Sequence, residues 1–104
     1  MPDCLFCKIS KKETPAEVVF ESDDVVAFKD IHPKARVHLL FVPKKHVDSV
    51  AVLKDSDKEL VGKLVLSARD TAKKENLPGY KLVFNVGRAG GQIIDHIHLH
   101  LLAD

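Results

Sequence analysis

Residues 95–103 place histidines and aliphatic side chains at alternating positions, and this pattern restricts the possible folds more than any other in the sequence. Alternation with a period of two is typical of a half-buried β-strand, because successive side chains point to opposite faces of a sheet. We therefore expect Ile97, Leu99 and Leu101 to face a core. The opposite face then carries a row of three imidazoles. They belong to His96, His98 and His100.

This row of imidazoles has two ordinary explanations and one functional one. Polar residues on the wet face of an edge strand would account for it, as would a purification tag, although tags are contiguous runs. Imidazole, however, can act as nucleophile, proton donor, proton acceptor and metal ligand near neutral pH. At a rise of about 3.3 Å per residue the outer two rings lie about 13 Å apart, too far for all three to bind one metal easily. The row is therefore predicted to divide several tasks among its members.

The composition is that of one small domain, which we expect to span residues 1–104. The 16 basic residues balance 15 acidic ones without a long basic block, which argues against a nucleic-acid-binding surface. No apolar run approaches the length of a membrane span, and Met1, Pro2, Asp3 and Cys4 lack the basic and apolar regions of a signal peptide. We therefore expect a cytoplasmic protein without membrane association.

Both cysteines lie near the amino terminus, where Cys4 and Cys7 form a Cys-x-x-Cys pair. In a reducing cytosol such a pair is typical of a redox motif or of half a metal site. A redox motif of the thioredoxin kind would follow a strand, and too little chain precedes Cys4 to form one. The metal site is therefore favoured, and it needs two further ligands, which histidines can supply.

Two isolated histidines leave more than one explanation open. His38 lies inside an apolar strand pattern, where it is either a hydrogen-bonded core histidine or a residue that orients another imidazole. His46 follows the basic pair Lys44-Lys45 and is either a loop residue without a role or a third metal ligand. The local sequence does not decide between these explanations.

The remaining apolar patterns predict an α+β domain with a five-stranded antiparallel sheet and one short and one long helix, both on one side of the sheet. The run at residues 37–42 is almost continuously apolar and is predicted to be central. An open sheet leaves an edge that needs cover, so a homodimer is expected. The predicted short helix is residues 5–12, and the predicted strands are residues 17–21, 25–28, 37–42, 80–86 and 95–103.

The long helix is predicted to be structural. Ser56 is its expected N-cap, and Glu59 three residues later completes a capping box. Pro78-Gly79 prevents its continuation. Apolar residues at helical spacing define a buried stripe. They are Leu60, Val61, Leu64, Val65, Ala68 and Ala72.

A glycine-rich segment, residues 87–92, connects the strand before it to the histidine row. Glycines let backbone N–H groups converge on an anion, as in phosphate cradles, but glycine pairs also occur in ordinary tight turns. Its position directly before the histidines favours the delivery of a phosphate to an imidazole nucleophile.

These segments together carry a resemblance to a known family. Residues 96–102 resemble the histidine triad motif at all seven positions. The similarity extends along nearly the whole chain, with matching segments in family order at residues 4–9, 27–31, 42–46, 85–87 and 90–92. The chain is most similar to the histidine triad nucleotide-binding (Hint) branch, in the bacterial form that carries the cysteine pair.

The resemblance implies a homodimer in which two sheets join into one ten-stranded sheet, with a purine nucleotide site on each subunit. It implies that His98 attacks the α-phosphorus and becomes nucleotidylated, after which water releases the nucleoside monophosphate. His96 would offer its backbone carbonyl to Nδ1–H of His98. His100 would bind a phosphate oxygen, with His38 as its supporting neighbour.

The nucleotide contacts are likewise implied by the resemblance. Asp30 would accept hydrogen bonds from the ribose hydroxyls. Apolar residues would sandwich the base, although plain core packing is the alternative for Phe6, Phe28 and Ile31. The full apolar set is Leu5, Phe6, Ile9, Phe28 and Ile31. The phosphate-contacting set is Asn85 with the backbone of Gly91 and Gln92.

A structural zinc site is also implied by the resemblance. Its four ligands would be Cys4, Cys7, His46 and His96. Two thiolates and two imidazoles form a closed tetrahedral site with no position left for water. Zinc would join the amino terminus to the histidine strand, whereas the alternative is two unligated thiols.

Two positions depart from the family pattern. Ile93 stands where the branch usually has a serine that is associated with proton delivery to an amine leaving group, and isoleucine cannot donate a proton. Asp95 stands where an aromatic or aliphatic residue is common. Its carboxylate is expected either to raise the pKa of a neighbouring imidazole or to face solvent.

The sequence therefore predicts a phosphoramidase-like nucleotidyl hydrolase or transferase that acts on purine nucleoside 5′-monophosphates with a substituted α-phosphate. A dinucleoside polyphosphate hydrolase differs from it mainly in the leaving group. A zinc-stapled nucleotide-binding or interaction module with little turnover is the alternative that Ile93 keeps open. A metalloenzyme that uses the histidine row as ligands is disfavoured, because the cysteines offer a better metal site.

Overall fold

Five strands form one antiparallel sheet in the spatial order β1-β2-β3-β5-β4, in a computed structural model that describes residues 4–104. The strands are β1 (Val18–Glu21), β2 (Val25–Lys29), β3 (Val37–Pro43), β4 (Lys81–Phe84) and β5 (Leu99–Ala103). The helices are the short α1 (Leu5–Ser10) and the long α2 (Lys58–Lys74). This confirms the predicted α+β architecture, with the apolar β3 at the centre of the sheet.

The two helices cover opposite faces of the sheet, so the prediction that both lie on one side is wrong. The long helix α2 packs on the face that carries Ala27 and Phe41, whereas α1 packs on the face that carries Phe28 and Leu40. Leu40 lies opposite His100 in the pairing of β3 with β5, so the face under α1 is also the histidine face. β2 and β3 are apolar at nearly every position because both of their faces are buried.

The start of α2 also differs from the prediction. A 3₁₀ turn, Asp55–Asp57, leads directly into the helix, and Asp57 precedes the first helical residue in place of Ser56. The Asp57 carboxylate accepts hydrogen bonds from the backbone N–H of Lys54 (2.9 Å) and from Nζ of Lys45 (2.8 Å). Within α2 the buried residues are Leu64, Ser67, Ala68, Thr71 and Ala72, whereas the predicted stripe member Val65 is 36% exposed.

The histidine segment becomes a regular strand four residues later than predicted, at Leu99. Before that point the backbone N–H of Ile97 donates to the carbonyl of Val47 (2.7 Å), which ties the segment to the loop after β3. The alternation of side chains is nevertheless kept. Ile97, Leu99 and Leu101 are 2%, 1% and 0% exposed, as the period of two predicts.

No helix among residues 4–104 is long and apolar enough to cross a membrane. The expectation that Met1, Pro2 and Asp3 belong to no signal peptide concerns residues outside the described range.

Candidate active site and metal cluster

A cavity of about 550 Å³ lies between α1 and the histidine face of the sheet. Its volume is within the usual range for small-molecule sites, about 300–1,000 Å³. The structure brings nearly all of the residues predicted to serve a nucleotide to the lining of this cavity. They are Leu5, Phe6, Ile9, Phe28, Asp30, Ile31, His38, Asn85, Gly91, His98 and His100. Gln92 is predicted to contact the nucleotide but lies outside this lining.

Phe6 and Phe28 form an aromatic wall of the cavity. Their ring centroids lie 5.4 Å apart, and the centroid of Phe6 lies 5.0 Å from that of His98. Both phenylalanines are 3% exposed and belong to the core under α1, so they pack the core and line the cavity at once. Leu5 and Ile31 also line the cavity but are 41% and 82% exposed. Core packing therefore does not explain why an isoleucine stands at position 31, at the mouth of the cavity.

His98 is oriented by the backbone two residues before it. Its Nδ1 lies 2.8 Å from the carbonyl oxygen of His96. Because a carbonyl oxygen only accepts hydrogen bonds, Nδ1 carries the proton and Nε2 keeps a free electron pair. Burial lowers the pKa of His98, so the ring is neutral near pH 7. A neutral imidazole with a free Nε2 in a cavity can act as a nucleophile.

The side chains of His38 and His100 are hydrogen-bonded to each other, and their other contacts determine which of them donates. The backbone N–H of Lys34 donates to Nδ1 of His38 (3.1 Å), which leaves the proton of the neutral ring on Nε2. That Nε2 lies 2.9 Å from Nδ1 of His100, so Nδ1 of His100 accepts and its own proton lies on Nε2. The side-chain amide of Asn85, which offers both a donor and an acceptor, lies 3.4 Å from Nε2 of His100.

Burial keeps this histidine pair neutral. It lowers the pKa of His38, and it lowers the pKa of His100 to about 4 with smaller contributions from the neighbouring His98 and His38. A neutral His100 whose Nδ1 is already occupied can only donate from Nε2. The pair therefore presents one N–H group to the cavity at physiological pH.

Asp30, His38 and His100 also satisfy the distance requirement for a metal site, since their ligand atoms lie within 4.8 Å of one another. A metal would need the free electron pair of His38 Nε2. The hydrogen bond from Lys34 to Nδ1 places a proton on that atom instead. The geometry therefore favours a hydrogen-bond relay over a metal site at this position.

A second cluster joins α1 to the histidine segment. The ligand atoms of Cys4, Cys7, His46 and His96 all lie within 4.8 Å of one another, so these residues could hold a metal ion. Sγ of Cys4 lies 3.3 Å from Nδ1 of His96, and Sγ of Cys7 lies 3.2 Å from Nδ1 of His46. The four residues are the set predicted from the sequence.

Hydrogen bonds outside this cluster orient both of its imidazoles. Nε2 of His96 donates to the carbonyl of Pro43 (2.8 Å), and Nε2 of His46 donates to Oδ1 of Asp48 (2.8 Å). Each bond leaves Nδ1 unprotonated and directed at the cysteines, which is the arrangement that metal-bound histidines require. Burial lowers the pKa of His96 to about 4, and burial next to Cys4 raises the pKa of the Cys7 thiol. The donor set therefore fits a cation that would stabilise two thiolates.

The glycine loop, residues 87–91, ends beside the cavity. A 3₁₀ turn, Arg88–Gly90, lies between Gly87 (φ +70°) and Gly91 (φ +90°), and these backbone conformations favour glycine. The N–H groups of Gly91 and Gln92 donate to carbonyls within the loop, at 3.0 and 2.9 Å. The predicted phosphate contacts through these two amides would require the internal bonds to exchange.

The two departures from the family pattern have different surroundings. Ile93 is 82% exposed and lines the cavity. Asp95 forms two hydrogen bonds with the Arg88 guanidinium, at 2.8 and 3.0 Å, and both side chains are 64% exposed. Of the two alternatives for Asp95, the structure supports the solvent-facing one.

Sequence reasoning missed three contributors to the site. They are the backbone N–H of Lys34, the carboxylate of Asp48 and the side chain of Gln92. Lys34 acts through its main chain, Gln92 acts on a carbonyl 44 residues away, and Asp48 acts through its carboxylate on His46, two residues before it. The His46-x-Asp48 spacing could have indicated the second of these, whereas the other two leave no local pattern in the sequence.

Comparison with known proteins identifies the family. The sequence pattern of the family described as "Scavenger mRNA decapping enzyme C-term binding" matches residues 3–104. Protein HitA of Neisseria gonorrhoeae is 44% identical over 103 residues, which cover 98% of this chain and 96% of HitA. The chain belongs to the histidine triad (HIT) family. Proteins of the HIT family bind nucleotides in general, and hydrolase-type chemistry on nucleotides is common among them.

Solved structures of HIT proteins superpose closely on this one. A HIT family hydrolase from Legionella pneumophila matches with a TM-score of 0.95 and 50% identity, covering 97% of this chain and 92% of that protein. A histidine triad protein from Clostridium difficile matches with a TM-score of 0.97 and 39% identity, covering 100% and 92%. At these identities the agreement extends beyond the fold to the family. A hydrolase-type enzyme is therefore the function class that this HIT chain shares with its neighbours.

Proposed function

We propose that the protein is a nucleotidyl hydrolase or transferase for purine nucleoside 5′-monophosphates that carry a substituted α-phosphate, with His98 as the nucleophile. The observation that carries the proposal is the hydrogen bond from Nδ1–H of His98 to the carbonyl of His96, 2.8 Å long, in a ring that lines the cavity. This bond leaves Nε2 as the only nitrogen of His98 able to attack.

The reaction proceeds in two displacements at phosphorus. First, the electron pair of His98 Nε2 forms a bond to the α-phosphorus, and the bond from phosphorus to the leaving group breaks with its electron pair. In the resulting imidazolium the proton stays on Nδ1 and remains hydrogen-bonded to the carbonyl oxygen of His96. This hydrogen bond stabilises the positive charge of the ring. Water then attacks the phosphorus, the electron pair of the P–N bond returns to Nε2, and a proton passes to solvent as the nucleoside monophosphate departs.

His100 supplies the hydrogen-bond donor for the phosphate. Its Nε2–H is aimed at the cavity because Nδ1 is occupied by His38. A neutral donor that is already oriented stabilises the charge that develops on a phosphoryl oxygen without reorganisation. His38 acts through His100 and is a positioning residue.

The nucleoside part lies in the apolar portion of the cavity. Phe6 and Phe28 provide the aromatic wall, and Ile31 at the mouth covers the other side of the base. Asp30 lines the cavity, and its Oδ2 lies 3.4 Å from Nε2 of His38. Its carboxylate accepts hydrogen bonds from the ribose hydroxyls. Such a site separates recognition of the nucleoside from chemistry at the phosphate.

Zinc is the metal that best suits the cluster of Cys4, Cys7, His46 and His96, because two thiolates and two imidazoles prefer zinc in tetrahedral geometry. When bound it supplies structural stability and takes no part in the displacements. The four residues hold α1, and with it Phe6, against the segment that leads into His98.

We also propose that two subunits pair through β4 into a ten-stranded sheet. β4 is an edge strand. Its Leu82 is 37% exposed, and Tyr80, the residue directly before the strand, is 38% exposed. An open edge with apolar neighbours favours pairing with a second copy. Sedimentation that shows only a monomer at micromolar concentration would contradict this arrangement.

One observation favours a second candidate, a nucleotide-binding module with little turnover. Ile93 lines the cavity and offers no side-chain proton to a leaving group. A leaving group that needs protonation would then depart slowly, whereas a phosphate-type leaving group from a dinucleoside polyphosphate would need less help. The choice of substrates in the experiment separates these cases.

The test is the intact mass of the protein after brief mixing with adenosine 5′-phosphoramidate or with a diadenosine polyphosphate, with AMP release followed in the same samples. Wild type is compared with His98→Ala, and acid is avoided because P–N bonds are acid-labile. We expect an adenylyl adduct or AMP in wild type and neither in the variant. Protein that binds AMP but yields no adduct and no AMP from either compound would favour the binding module.

A further inference from the structure

We propose that Gln92 is a positioning residue whose side chain holds the glycine loop in place relative to His98, and so determines how well the phosphate of a nucleotide is bound. This inference rests on the proposed nucleotidyl transfer, because it concerns the phosphate end of the same cavity. The Gln92 side chain is buried and lies outside the lining of the cavity.

Every polar atom of the Gln92 side chain is used, and the residue is 2% exposed. Its Oε1 accepts the backbone N–H of Gly87 (2.9 Å). Its Nε2 donates to the carbonyls of Asp48 (2.6 Å) and Ile94 (2.9 Å). One amide therefore joins three segments: the start of the glycine loop, the loop after β3, and the residues that lead into the histidines.

The glycine loop depends on such an attachment. Its internal bonds, between residues 87–92, determine its shape but not its distance from His98. Its other side-chain attachments come from the exposed Arg88, whose guanidinium contacts the Gln92 carbonyl (2.8 Å) and the Asp95 carboxylate. An exposed ion pair fixes position weakly because water competes for both partners. The buried amide of Gln92 is therefore the rigid attachment.

The same amide reaches the metal cluster. Asp48 accepts from Gln92 through its backbone carbonyl and from His46 through its carboxylate. The loop after β3 also accepts the N–H of Ile97 through Val47. The glycine loop, the metal-binding loop and the histidine segment are thus parts of one hydrogen-bonded frame. A displacement of about 1 Å in such a frame reduces rates by up to about 100-fold.

The experiment compares Gln92→Met, which has a similar length and no N–H or O–H group, with Gln92→Glu, which retains the acceptor for Gly87 and keeps at most one of the two donated bonds, through a protonated carboxyl. Asp95→Asn is the matched control for the exposed attachment of the same loop, since it removes the charge and one of the two hydrogen bonds with Arg88. Titration calorimetry gives the dissociation constants of adenosine and AMP for each protein. Steady-state kinetics with adenosine 5′-phosphoramidate gives KM and kcat, and metal content is measured on the same samples.

We expect both Gln92 variants to bind adenosine within about twofold of wild type and AMP about tenfold more weakly, with kcat lowered by about 10–100-fold. Asp95→Asn should match wild type. If Gln92→Met does not fold, Gln92→Glu carries the test alone.

Three outcomes overturn the inference. The first is an unchanged preference for AMP over adenosine in the folded variants. The second is equal weakening of both ligands together with loss of bound metal, which indicates a general structural role. The third is a wild type that binds adenosine and AMP equally, which overturns the proposed function as well, whereas the first two leave it standing.

Discussion

Nε2 of His38 lies 2.9 Å from Nδ1 of His100, and this contact determines which nitrogen of His100 can face a substrate. The direction originates in the main chain, because Lys34 donates its N–H to the far side of His38. A backbone group that cannot change its protonation state thus fixes the tautomers of two side chains in series. The N–H group that His100 presents to the cavity is therefore determined by folding and not by pH near neutrality.

Replacing His38 by phenylalanine should release His100 from this tautomer. Phenylalanine fills a similar volume at a residue that is 5% exposed, so the expected loss is functional. We expect AMP release to slow by about 10–100-fold, as for other partners that orient a functional histidine. His38→Gln, whose amide keeps an N–H group, should lose less. Single-turnover rates on the same substrate check this, and equal rates for the phenylalanine variant and wild type would contradict the relay.

The free energy of unfolding should fall as pH is lowered from about 6.5 to about 4. Burial and the nearby His98, His38 and Lys34 lower the pKa of His100 from 6.5 to about 4, while Asp30 acts in the opposite sense. Because the unfolded chain binds a proton on this ring that the folded chain does not, the stabilising contribution is complete above pH 6.5 and lost towards pH 4.

Urea unfolding of wild type and His100→Gln at pH 7 and pH 4.5 measures this effect. The loss of stability between the two pH values should be smaller in the variant, which has no ring to protonate. The other buried histidines contribute too, so the loss should shrink without vanishing. An identical loss in both proteins would show that His100 is not protonated differently in the two states.

Removing the metal should weaken the fold before it affects the chemistry. A ligand that binds only the folded chain stabilises it by about 2.7 kcal/mol at a concentration 100-fold above its Kd. We expect one zinc per chain by elemental analysis and a lower Tm after chelation or in Cys7→Ser. Ser10→Ala, on the same helix, is the control, because it removes only a hydrogen bond to the Cys7 carbonyl (3.0 Å). Chelated protein that stays folded but loses all turnover at once would point to a catalytic metal.

Alanine variants of Ile31 and Phe6 should differ in how far they change the free energy of unfolding along with AMP affinity. Ile31→Ala removes a side chain that is 82% exposed, so stability should change by less than about 0.5 kcal/mol while AMP affinity falls. Phe6→Ala removes a ring that is 3% exposed and should cost about 3–5 kcal/mol of stability as well as affinity. Urea unfolding with AMP titration distinguishes the two. Unchanged AMP affinity in Ile31→Ala would remove this residue from the site.

Patterns of side-chain chemistry at short spacing were sufficient to predict much of the fold. The alternation around Ile97 and Leu99 predicted correctly which side chains enter the core, although the regular strand begins only at Leu99. The apolar run of β3 predicted its central position correctly. The apolar runs of β2 and β3 also indicated that both faces of the sheet are covered. The prediction that both helices lie on one side did not take this into account.

The remainder depended on contacts between distant parts of the chain. Asp57 stands where Ser56 was predicted to cap α2, but its carboxylate binds Lys45 and the backbone N–H of Lys54 and makes no hydrogen bond to the first turn of the helix. The attachment of Gln92 to Asp48 spans 44 residues and involves a backbone carbonyl, which leaves no trace in residue identity. Residue types thus indicate which chemistry is present, whereas tertiary contacts determine how it is oriented.

Cys7 and Phe6 are neighbours in a helix of only six residues, which is too short to be stable by itself. One side of this helix belongs to the group of residues that could hold a metal ion, and the other lines the cavity proposed to bind a nucleotide. Any factor by which a bound metal strengthens nucleotide binding must therefore equal the factor by which a bound nucleotide strengthens metal binding, since the two equilibria close one thermodynamic cycle. Where that factor exceeds one, the supply of nucleotide in a cell would influence what fraction of the molecules holds a metal.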